Sequence, residues 1–306
     1  MNPVNTQAYR LPANAVWLIT GCSSGIGREI ASLIASKPNQ RLIATARNPS
    51  SLSYLPDGNA NILKLALDVT SVSSVDAAFA AAAKHFGNDD DGAAFRLDVV
   101  VNNAGYSLSG DTESATEEDI HQEMETLFFG TARVTMRAVE VMRRQVGDRR
   151  GGLVFNMSSL AGLCAFPGHA YYHAGKFAVE GFTESVAREM HPDWNIHFCL
   201  IEPSGVKTNF DGHSKTHTQP HPAYAASDMP SRKLEAYVNQ GIKSGVGMIE
   251  PSAVAETIVT IASRGECVPL RLPLGPVCWK LAKEKFETLL KEFDEVKELS
   301  AMGQQI

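Results

Sequence analysis

Tyr172 and Lys176 have the residue types and the spacing that acid–base chemistry requires. They lie four residues apart in a helical pattern that continues to Met190, so the two side chains share one helix face. An ammonium group beside a phenol, whose ordinary pKa is about 10, favours the phenolate and brings proton exchange with a substrate oxygen closer to neutral pH. The same spacing also arises by chance on interface helices, so other motifs must distinguish the two interpretations.

A glycine-rich turn could bind a phosphate group. An apolar run at residues 15–20 leads into the sequence GCSSGIG at residues 21–27 and then into a helical pattern. Glycines allow a tight turn and a close approach of backbone to ligand, and the start of a helix presents unpaired N–H groups to a phosphate. A strand, turn and helix in this order predict a dinucleotide site.

Arg47 stands where the ribose of such a nucleotide would be recognised. It follows the second apolar run and lies 20 residues (47 − 27) after Gly27. A carboxylate there would bind the 2′-hydroxyl of NAD and repel a 2′-phosphate, whereas a guanidinium suits the phosphate. We therefore predict a preference for NADP(H); the alternative is a solvated surface arginine.

The elements that must position these residues alternate along the chain. Helical patterns occupy the intervals between near-continuous apolar runs, which predicts βαβ units and a buried parallel sheet with helices on both faces. The predicted strands are residues 15–20, 41–46, 62–67, 97–101, 152–157 and 196–201. The predicted helices are near residues 25–37, 72–86, 116–146 and 171–191.

We predict one domain over residues 15–306, preceded by a flexible tail at residues 1–14. A proline- and glycine-containing segment at about residues 207–247 is interpreted as a substrate lid. A C-terminal extension follows at about 250–306, with a helix from residue 251, a strand at 268–272 and a helix at 276–299. That last helix is predicted to pack on the core through an apolar stripe formed by Phe286, Leu289, Leu290, Phe293 and Val296.

Composition excludes several classes of protein. With 28 basic and 34 acidic residues the net charge is −6, which argues against nucleic-acid binding. Five scattered cysteines without CxxC spacing indicate neither a disulfide framework nor zinc, and favour a reducing, cytoplasmic setting. No secretory signal or membrane-spanning run is evident. His213, His217 and His221 are spaced for a metal, but Pro220 and Pro222 disfavour the helix they would need, so no metal site is predicted.

Two further motifs complete the pattern. Residues 102–105 are Asn-Asn-Ala-Gly and residues 156–159 are Asn-Met-Ser-Ser, each at the end of a predicted strand, the edge where open α/β sheets bind ligands. Together with the turn and the Tyr172–Lys176 pair, they resemble the short-chain dehydrogenases/reductases over about residues 15–210. The GCSSGIG turn and the Ala-Thr-x-Arg sequence at 44–47 look like the 17β-hydroxysteroid and retinol dehydrogenase branch and some filamentous-fungal reductases. The resemblance implies a doubly wound, Rossmann-type α/β fold.

The resemblance also implies roles for individual residues. Tyr172 matches the catalytic acid/base, Lys176 the residue that binds the nicotinamide ribose and lowers the tyrosine pKa, and Ser159 the serine that holds the substrate oxygen. The implied NADP(H)-binding residues are Gly21, Ser23, Ser24, Gly25, Ile26, Gly27, Arg47, Asp68, Val69, Asn103, Ala104, Gly105, Tyr172, Lys176, Pro203, Gly205, Val206 and Thr208. Ser204 stands where the family usually has glycine.

Leu127 departs from the family pattern. The family usually has Asn-x-x-Gly before the serine strand, and its asparagine completes a proton relay through water to the lysine; here residues 127–130 are Leu-Phe-Phe-Gly. A leucine side chain supplies no hydrogen bond, although its backbone carbonyl could still hold the water. We therefore predict less efficient proton transfer rather than inactivity.

The resulting hypothesis is an NADPH-dependent reductase, reversible as an alcohol dehydrogenase, of a lipophilic ketone or aldehyde. An apolar pocket is expected from Leu108, Leu163, Phe166, Phe210, Tyr224, Met229 and Tyr237. The resemblance implies a homodimer paired through residues 113–142 and 171–190. Two alternatives remain: a non-redox isomerase or cyclase on the same scaffold, and a non-catalytic NADP-sensing protein. The presence of Ser159, Tyr172 and Lys176 together counts against both.

Overall fold

Nine strands occur in the part of the chain that the structure describes. The computed structural model describes residues 4–87, 95–147, 150–208, 215–302 and 304. The strands are β1 (Val16–Ile19), β2 (Arg41–Ala46), β3 (Ile62–Ala66), β4 (Val99–Asn102), β5 (Ser107–Ser109), β6 (Gly152–Met157), β7 (Ile196–Pro203), β8 (Lys215–His217) and β9 (Arg271–Leu274).

Seven of these strands form one parallel sheet in the order β3-β2-β1-β4-β6-β7-β9. From β1 the chain adds β2 and β3 on one side of the sheet, and it then crosses over to add β4, β6, β7 and β9 on the other side. In open α/β sheets a ligand crevice forms at such a crossover, outside the carboxyl ends of the strands. β5 and β8 pair separately in a two-stranded parallel sheet. The predicted bounds of β2 and β6 are confirmed, and the other predicted strands differ from the observed ones by one to three residues at an end.

Helices cover both faces of the sheet. They are α1 (Gly25–Ala35), α2 (Val72–Phe86), α3 (Glu117–Met124), α4 (Thr131–Arg143), α5 (Ala170–Glu189), α6 (Pro230–Ser244), α7 (Pro251–Ser263), α8 (Pro276–Glu295) and α9 (Lys297–Ser300). α1 and α7 share one apolar core with the sheet, and α2, α4 and α5 share another on the opposite face. The predicted doubly wound α/β fold is confirmed.

The long helix predicted at residues 116–146 is interrupted. A π-helical turn, Glu125–Gly130, joins α3 to α4. α3 begins with a capping box, in which the Thr116 hydroxyl accepts a hydrogen bond from the Asp119 backbone N–H and the Asp119 carboxylate accepts one from the Thr116 N–H. The pattern of apolar and polar side chains does not reveal a π turn, because one extra residue within a single turn leaves the helical pattern on either side recognisable.

Asn5 and Tyr9 are anchored to distant parts of the chain, within residues 1–14, which the sequence predicts to be a flexible tail. The Asn5 amide donates hydrogen bonds to the carbonyls of Phe198 (2.7 Å) and Val268 (2.9 Å). The Tyr9 ring is buried, and its hydroxyl donates to the Asp98 carbonyl at 3.0 Å. These contacts span the length of the chain, which is why local composition does not reveal them.

The lid segment and the terminal helix also differ from simple expectation. In the lid, β8 pairs with β5, and the Asp111 carboxylate is held by Arg232 of α6 at 2.5 Å. α8 packs on the core only through its first turns, where Cys278 and Ala282 are buried. The prediction that its apolar stripe packs on the core is wrong for Phe286, Leu290, Phe293 and Val296, which lie beyond those turns and are exposed, whereas Leu289 is partly buried.

His197 on β7 makes the stability of the fold dependent on pH. Its ring is buried against Tyr9, its Nε2 lies 2.8 Å from Asn195 Oδ1, and burial lowers its pKa to about 4. The unfolded chain has the ordinary pKa of about 6.5, so the stability due to this group is complete above that pH and declines below it, towards the folded value.

We expect the free energy of unfolding to fall by about 2 kcal/mol more between about pH 7 and about pH 5 in the parent than in His197→Phe, measured by urea denaturation. His121→Gln, at an exposed histidine, is the control and should follow the parent. Equal pH dependence in the parent and in His197→Phe would show that this ring is not the buried neutral group described here.

Candidate active site

The glycine-rich turn links the end of β1 to the start of α1 at the carboxyl edge of the sheet. Gly21 (φ +71°) and Gly25 (φ +56°) have backbone conformations that L side chains rarely adopt. Ser24 precedes α1 in an extended conformation and makes no capping hydrogen bond with its side chain. The first N–H groups of α1 therefore face the turn, in the arrangement that suits a phosphate. Ser23 is exposed, and Ile26 packs against the core below.

Asn103 and Ala104, which follow β4, hold this turn in place. The Asn103 amide donates to the carbonyl of Thr20 (2.9 Å) and to that of Gly21 (3.1 Å). The Thr20 hydroxyl accepts from the backbone N–H groups of Asn103 (2.9 Å) and Ala104 (3.0 Å). A Cβ at Gly27 would collide with the Asn103 amide and the Gly21 carbonyl. The residues predicted for the turn thus form one cradle that fits a pyrophosphate.

The residues predicted near the adenosine end follow β2 and β3. Arg47 is exposed directly after β2. Asp68 accepts hydrogen bonds from the backbone N–H (3.0 Å) and the hydroxyl (2.7 Å) of Thr70. Val69 is buried and contacts Gly130 at the end of the π-helical turn. Both loops open on the same sheet edge as the glycine-rich turn, because all three strands are parallel.

Lys176 is buried beside Tyr172 on α5. Its ammonium donates a hydrogen bond to the Met157 carbonyl at the end of β6 (2.8 Å) and lies 5.6 Å from the centre of the Tyr172 ring. Burial lowers the pKa of Lys176 to about 8, and the carboxyl groups of Glu123 and Glu180 oppose that shift. The predicted pair therefore shares one face of the helix and points to the carboxyl edge of the sheet.

Ser159 lies just after β6. Its hydroxyl accepts a hydrogen bond from the Ala161 N–H (3.1 Å) and lies 3.5 Å from the Pro203 carbonyl, to which it donates. Ser158 is buried and its hydroxyl contacts Gly162, whereas Ser159 is partly exposed. The geometry therefore favours Ser159 over Ser158 as the hydroxyl available at the sheet edge.

The segment after β7 returns to the glycine-rich turn. Pro203 is buried, Gly205 is exposed, and Val206 forms a bridge with Ile249. Thr208 approaches the turn so closely that a Cβ at Gly25 would lie 3.3 Å from its methyl group. The elements predicted for the two ends of a dinucleotide therefore meet across one crevice.

His173 is a site residue that the sequence analysis missed. Its Nδ1 lies 2.8 Å from the Ala161 carbonyl and its Nε2 accepts a hydrogen bond from the Phe166 N–H at 3.0 Å. These contacts fix Nδ1 as the protonated nitrogen, and burial lowers the pKa of the ring, which stays neutral. His173 ties the loop after Ser159 to α5. The feature of the sequence that could have identified His173 as a site residue is its position next to Tyr172.

Glu123 is a second group that the sequence analysis missed. It lies on α3, its side chain is fully buried, and its Oε1 accepts a hydrogen bond from the Leu108 N–H at 3.0 Å. Burial raises the pKa of this carboxyl to about 7, although the Leu108 N–H and the Lys176 ammonium oppose the shift. A buried glutamate in the otherwise polar sequence of α3 has no periodicity that would distinguish it from its exposed neighbours.

Leu127 fills the space between Gly105 and Gly175. It is 2% exposed, and a Cβ at either glycine would lie 2.9 Å from its methyl groups. The side chain therefore has a packing role next to the residue that precedes Lys176. No hydrogen-bonding group stands at this position, as the sequence indicates.

We expect Leu127→Asn to lower stability while leaving turnover per folded molecule equal or higher. The amide exchanges buried apolar contacts for a buried polar group, at a cost of about 2–4 kcal/mol, but it supplies a hydrogen bond near Lys176. Urea denaturation and kcat are the measurements, and Leu127→Ala, which loses packing without gaining an amide, is the matched control. A large loss of kcat in folded Leu127→Asn would show that the leucine serves another purpose.

Five of the residues predicted to line an apolar pocket are wholly or partly buried. Leu108 and Leu163 are buried, and Phe166, Tyr224 and Met229 are partly buried. Tyr237 differs from the prediction: 74% of it is exposed, because it lies on the outer face of α6. Phe210 lies outside the described residues.

Two of the three histidines considered for a metal lie within the described residues, and each has another partner. His217 Nδ1 lies 3.1 Å from the Ser109 hydroxyl, and the His221 side chain accepts a hydrogen bond from the Ala223 N–H. His213 lies outside the described residues. Over those residues there is no group of three or more His, Cys, Asp or Glu side chains suited to a metal. Nor does any described helix have the length and apolar character needed to cross a membrane.

Comparison with known proteins agrees with this arrangement. A family model described as short chain dehydrogenase matches residues 15–219, more than half of the chain. Oxidoreductase calM of Penicillium decumbens is 64% identical over 302 residues, which are 99% of this chain and 97% of that protein. Estradiol 17-beta-dehydrogenase 1 of Rattus norvegicus is 33% identical over 259 residues, covering 81% and 70%.

A solved structure extends the agreement to the whole fold. The crystal structure of a short-chain dehydrogenase from Streptomyces avermitilis is similar with a TM-score of 0.80 and 30% identity, and the match covers 96% of this chain and 100% of that one. The family model's match includes the glycine-rich turn, β6 and α5. This chain therefore belongs to the short-chain dehydrogenase/reductase family.

Proposed function

We propose that this protein is an NADPH-dependent reductase, reversible as an alcohol dehydrogenase, of a lipophilic ketone or aldehyde. The family match and the relatives named as oxidoreductases and dehydrogenases support a reaction that interconverts CH–OH and C=O groups with a nicotinamide cofactor. The observation that carries the finer proposal is the Tyr172–Lys176 pair, with the ammonium held by the Met157 carbonyl at the edge where the glycine-rich turn opens.

The residues of the crevice have separate tasks in this reaction. A bound nicotinamide supplies the hydride. Tyr172 donates a proton to the developing alkoxide, and Ser159 holds the same oxygen through its hydroxyl. Lys176 keeps its charge close to the phenol, which stabilises the phenolate that remains after proton donation.

The cofactor would lie across the crevice from Arg47 to Thr208. The glycines of the turn and the N-terminus of α1 suit the pyrophosphate. Arg47, with Ser23 and Ser24, provides the donors for a 2′-phosphate, which supports NADP(H) over NAD(H). The segment from Pro203 to Thr208 is the part of the chain suited to the carboxamide, because it borders the same turn.

A lipophilic substrate is supported by the apolar residues around the catalytic edge. Leu108 and Leu163 come from different elements, and Phe166 is held by its backbone hydrogen bond to His173. Such a lining excludes water from the carbonyl and leaves few polar groups to select a hydrophilic substrate.

We also propose a cytoplasmic homodimer that pairs through α4 and α5 and the residues adjoining them. Phe129, Met136 and Phe177 are large apolar side chains exposed on these elements, and burial in a dimer would remove them from water. All five cysteines are free thiols, which suits a reducing compartment.

The test is oxidation of NADPH in the presence of a panel of lipophilic ketones, quinones, retinal and steroids. We expect turnover with at least one carbonyl compound and stoichiometric formation of the alcohol. Product formed without oxidation of NADPH would instead support an isomerase or cyclase. Tight NADPH binding with no turnover on any member, together with NADPH-dependent capture of a protein partner, would favour the sensing role.

A further inference from the structure

The fully buried glutamate on α3 has one carboxylate oxygen for which no hydrogen bond is formed within the described residues, although the Tyr106 hydroxyl interacts with its carboxyl group. Oε1 of Glu123 is engaged by the Leu108 N–H, but Oε2 is buried and has no hydrogen-bond partner among the residues that the structure describes. A buried carboxylate is costly unless a positive charge or hydrogen bonds compensate for lost hydration. The position of Glu123 therefore requires an explanation outside simple packing.

Several contacts place Glu123 next to the catalytic helix. α3 and the π-helical turn pack against α5. Four residues after Glu123, Leu127 contacts Gly175, which is the residue immediately before Lys176. Leu108, whose N–H binds the glutamate, lies in β5, and β5 also packs against α5.

Lys176 is the cation whose charge lowers the pKa of the Glu123 carboxyl. The ammonium is buried and has one hydrogen bond within the described residues, to the Met157 carbonyl, so it too lacks the hydration that would stabilise its charge. Glu180 is the other carboxylate that raises the pKa of Lys176, but it already forms an ion pair with Arg271 at 3.2 Å. No arginine is among the groups that shift the pKa of Glu123.

The remaining titratable neighbours supply no positive charge to the Glu123 carboxyl. The Tyr106 hydroxyl interacts with the Glu123 carboxyl, and Asp119 of the same helix acts on Tyr106. Neither brings a positive charge. The Tyr172 ring, whose centre lies 5.6 Å from the ammonium, brings no positive charge either.

We propose that Glu123 is a positioning residue of the active site, whose buried carboxylate keeps Lys176 in the ammonium form at the place where Leu127 offers no polar side chain. The proposal rests on the proposed function in one respect: only the ammonium form can stabilise the Tyr172 phenolate that proton donation leaves. No covalent step is assigned to Glu123. Its contribution is the electrostatic one of a desolvated opposite charge.

The sign of the pH effect follows directly. Burial lowers the pKa of Lys176 to about 8, and the Glu123 carboxylate holds it from falling further. Without that carboxylate the ammonium loses its proton at a lower pH. The rate of carbonyl reduction, which needs the ammonium, should then decline at a lower pH than in the parent.

The experiment compares Glu123→Gln with the parent. Glutamine keeps the size of the side chain and the acceptor for the Leu108 N–H, and removes the charge. The titration midpoint of Lys176, followed by the ¹³Cε chemical shift and assigned with Lys176→Arg, should fall by about one pH unit. The basic limb of the kcat profile should move by the same amount, with KM for NADPH little changed. Glu123→Asp, which restores the charge, should recover most of both shifts.

Glu118→Gln on the exposed face of α3 is the matched control and should change neither quantity. Glu123→Leu is the second uncharged variant and gives the same measurement if the glutamine variant does not fold. An unchanged Lys176 midpoint in the folded uncharged variant overturns the proposal. Because the titration needs no turnover, a parent that reduces no carbonyl would refute the proposed function while the chemical shifts still decide the role of Glu123.

Discussion

Tyr172→Phe should abolish reduction while leaving NADPH binding intact. In the proposed reaction the phenol gives a proton to the substrate oxygen, and positioned acid–base catalysis contributes about 10²–10⁴-fold to rate. Phenylalanine keeps the ring beside Lys176, so the packing of α5 is unchanged. We expect kcat to fall by about 10³-fold, measured as NADPH oxidation with the best substrate of the panel.

Tyr171→Phe provides the matched control for this result. Tyr171 is the neighbouring residue on α5 and is likewise partly buried, but it stands outside the four-residue spacing with Lys176. Its variant should retain parental kcat, and fluorescence titration should give similar NADPH dissociation constants for both variants and the parent. Residual activity near the parental level in Tyr172→Phe would remove the tyrosine from its assigned role.

Arg47→Asp should reverse the preference between the two nicotinamide nucleotides. The substitution removes the hydrogen bonds of a guanidinium to a 2′-phosphate, adds a repelling charge, and supplies an acceptor for the 2′-hydroxyl of NADH. A charge-assisted contact is worth about 1.5–3 kcal/mol, so we expect the ratio of the NADPH and NADH dissociation constants to change by about 100-fold or more.

Arg47→Ala should lie between the parent and Arg47→Asp, because it removes the attraction without adding repulsion. Arg144→Asp, at an exposed arginine of the α4 terminus, makes the same change in net charge far from the crevice and should leave the ratio unchanged. An unchanged ratio in Arg47→Asp would mean that Arg47 is a solvated surface residue.

The central sheet could be predicted from the sequence because its strands are buried on both faces. The runs that became β2 and β6 are almost entirely apolar, and no alternating pattern competes with a buried parallel strand. The glycine-rich turn was equally clear, since its positive φ angles and close contacts admit few other residues. At these positions the residue types that the local backbone admits are the same ones that the fold requires.

Other features depend on contacts between distant parts of the chain. β8 has three residues, two of them exposed, and exists through its pairing with β5 more than 100 residues earlier. Asn5 likewise acquires its role only from the carbonyls it reaches on β7 and near β9. Glu123 and His173 are polar residues whose burial follows from the packing of helices against one another, and one-dimensional periodicity does not contain that information.

The π-helical turn between α3 and α4 has a consequence for chain length. A π turn closes its hydrogen bonds five residues apart and so accommodates one residue more than an α turn. Deletion of one residue within Glu125–Gly130 would therefore leave a continuous α-helix, and α3 and α4 would keep their relative orientation. Glu123 would stay on the face against α5. This turn thus allows the chain to lose a single residue beside α5 while the sheet and the crevice at its carboxyl edge stay as they are.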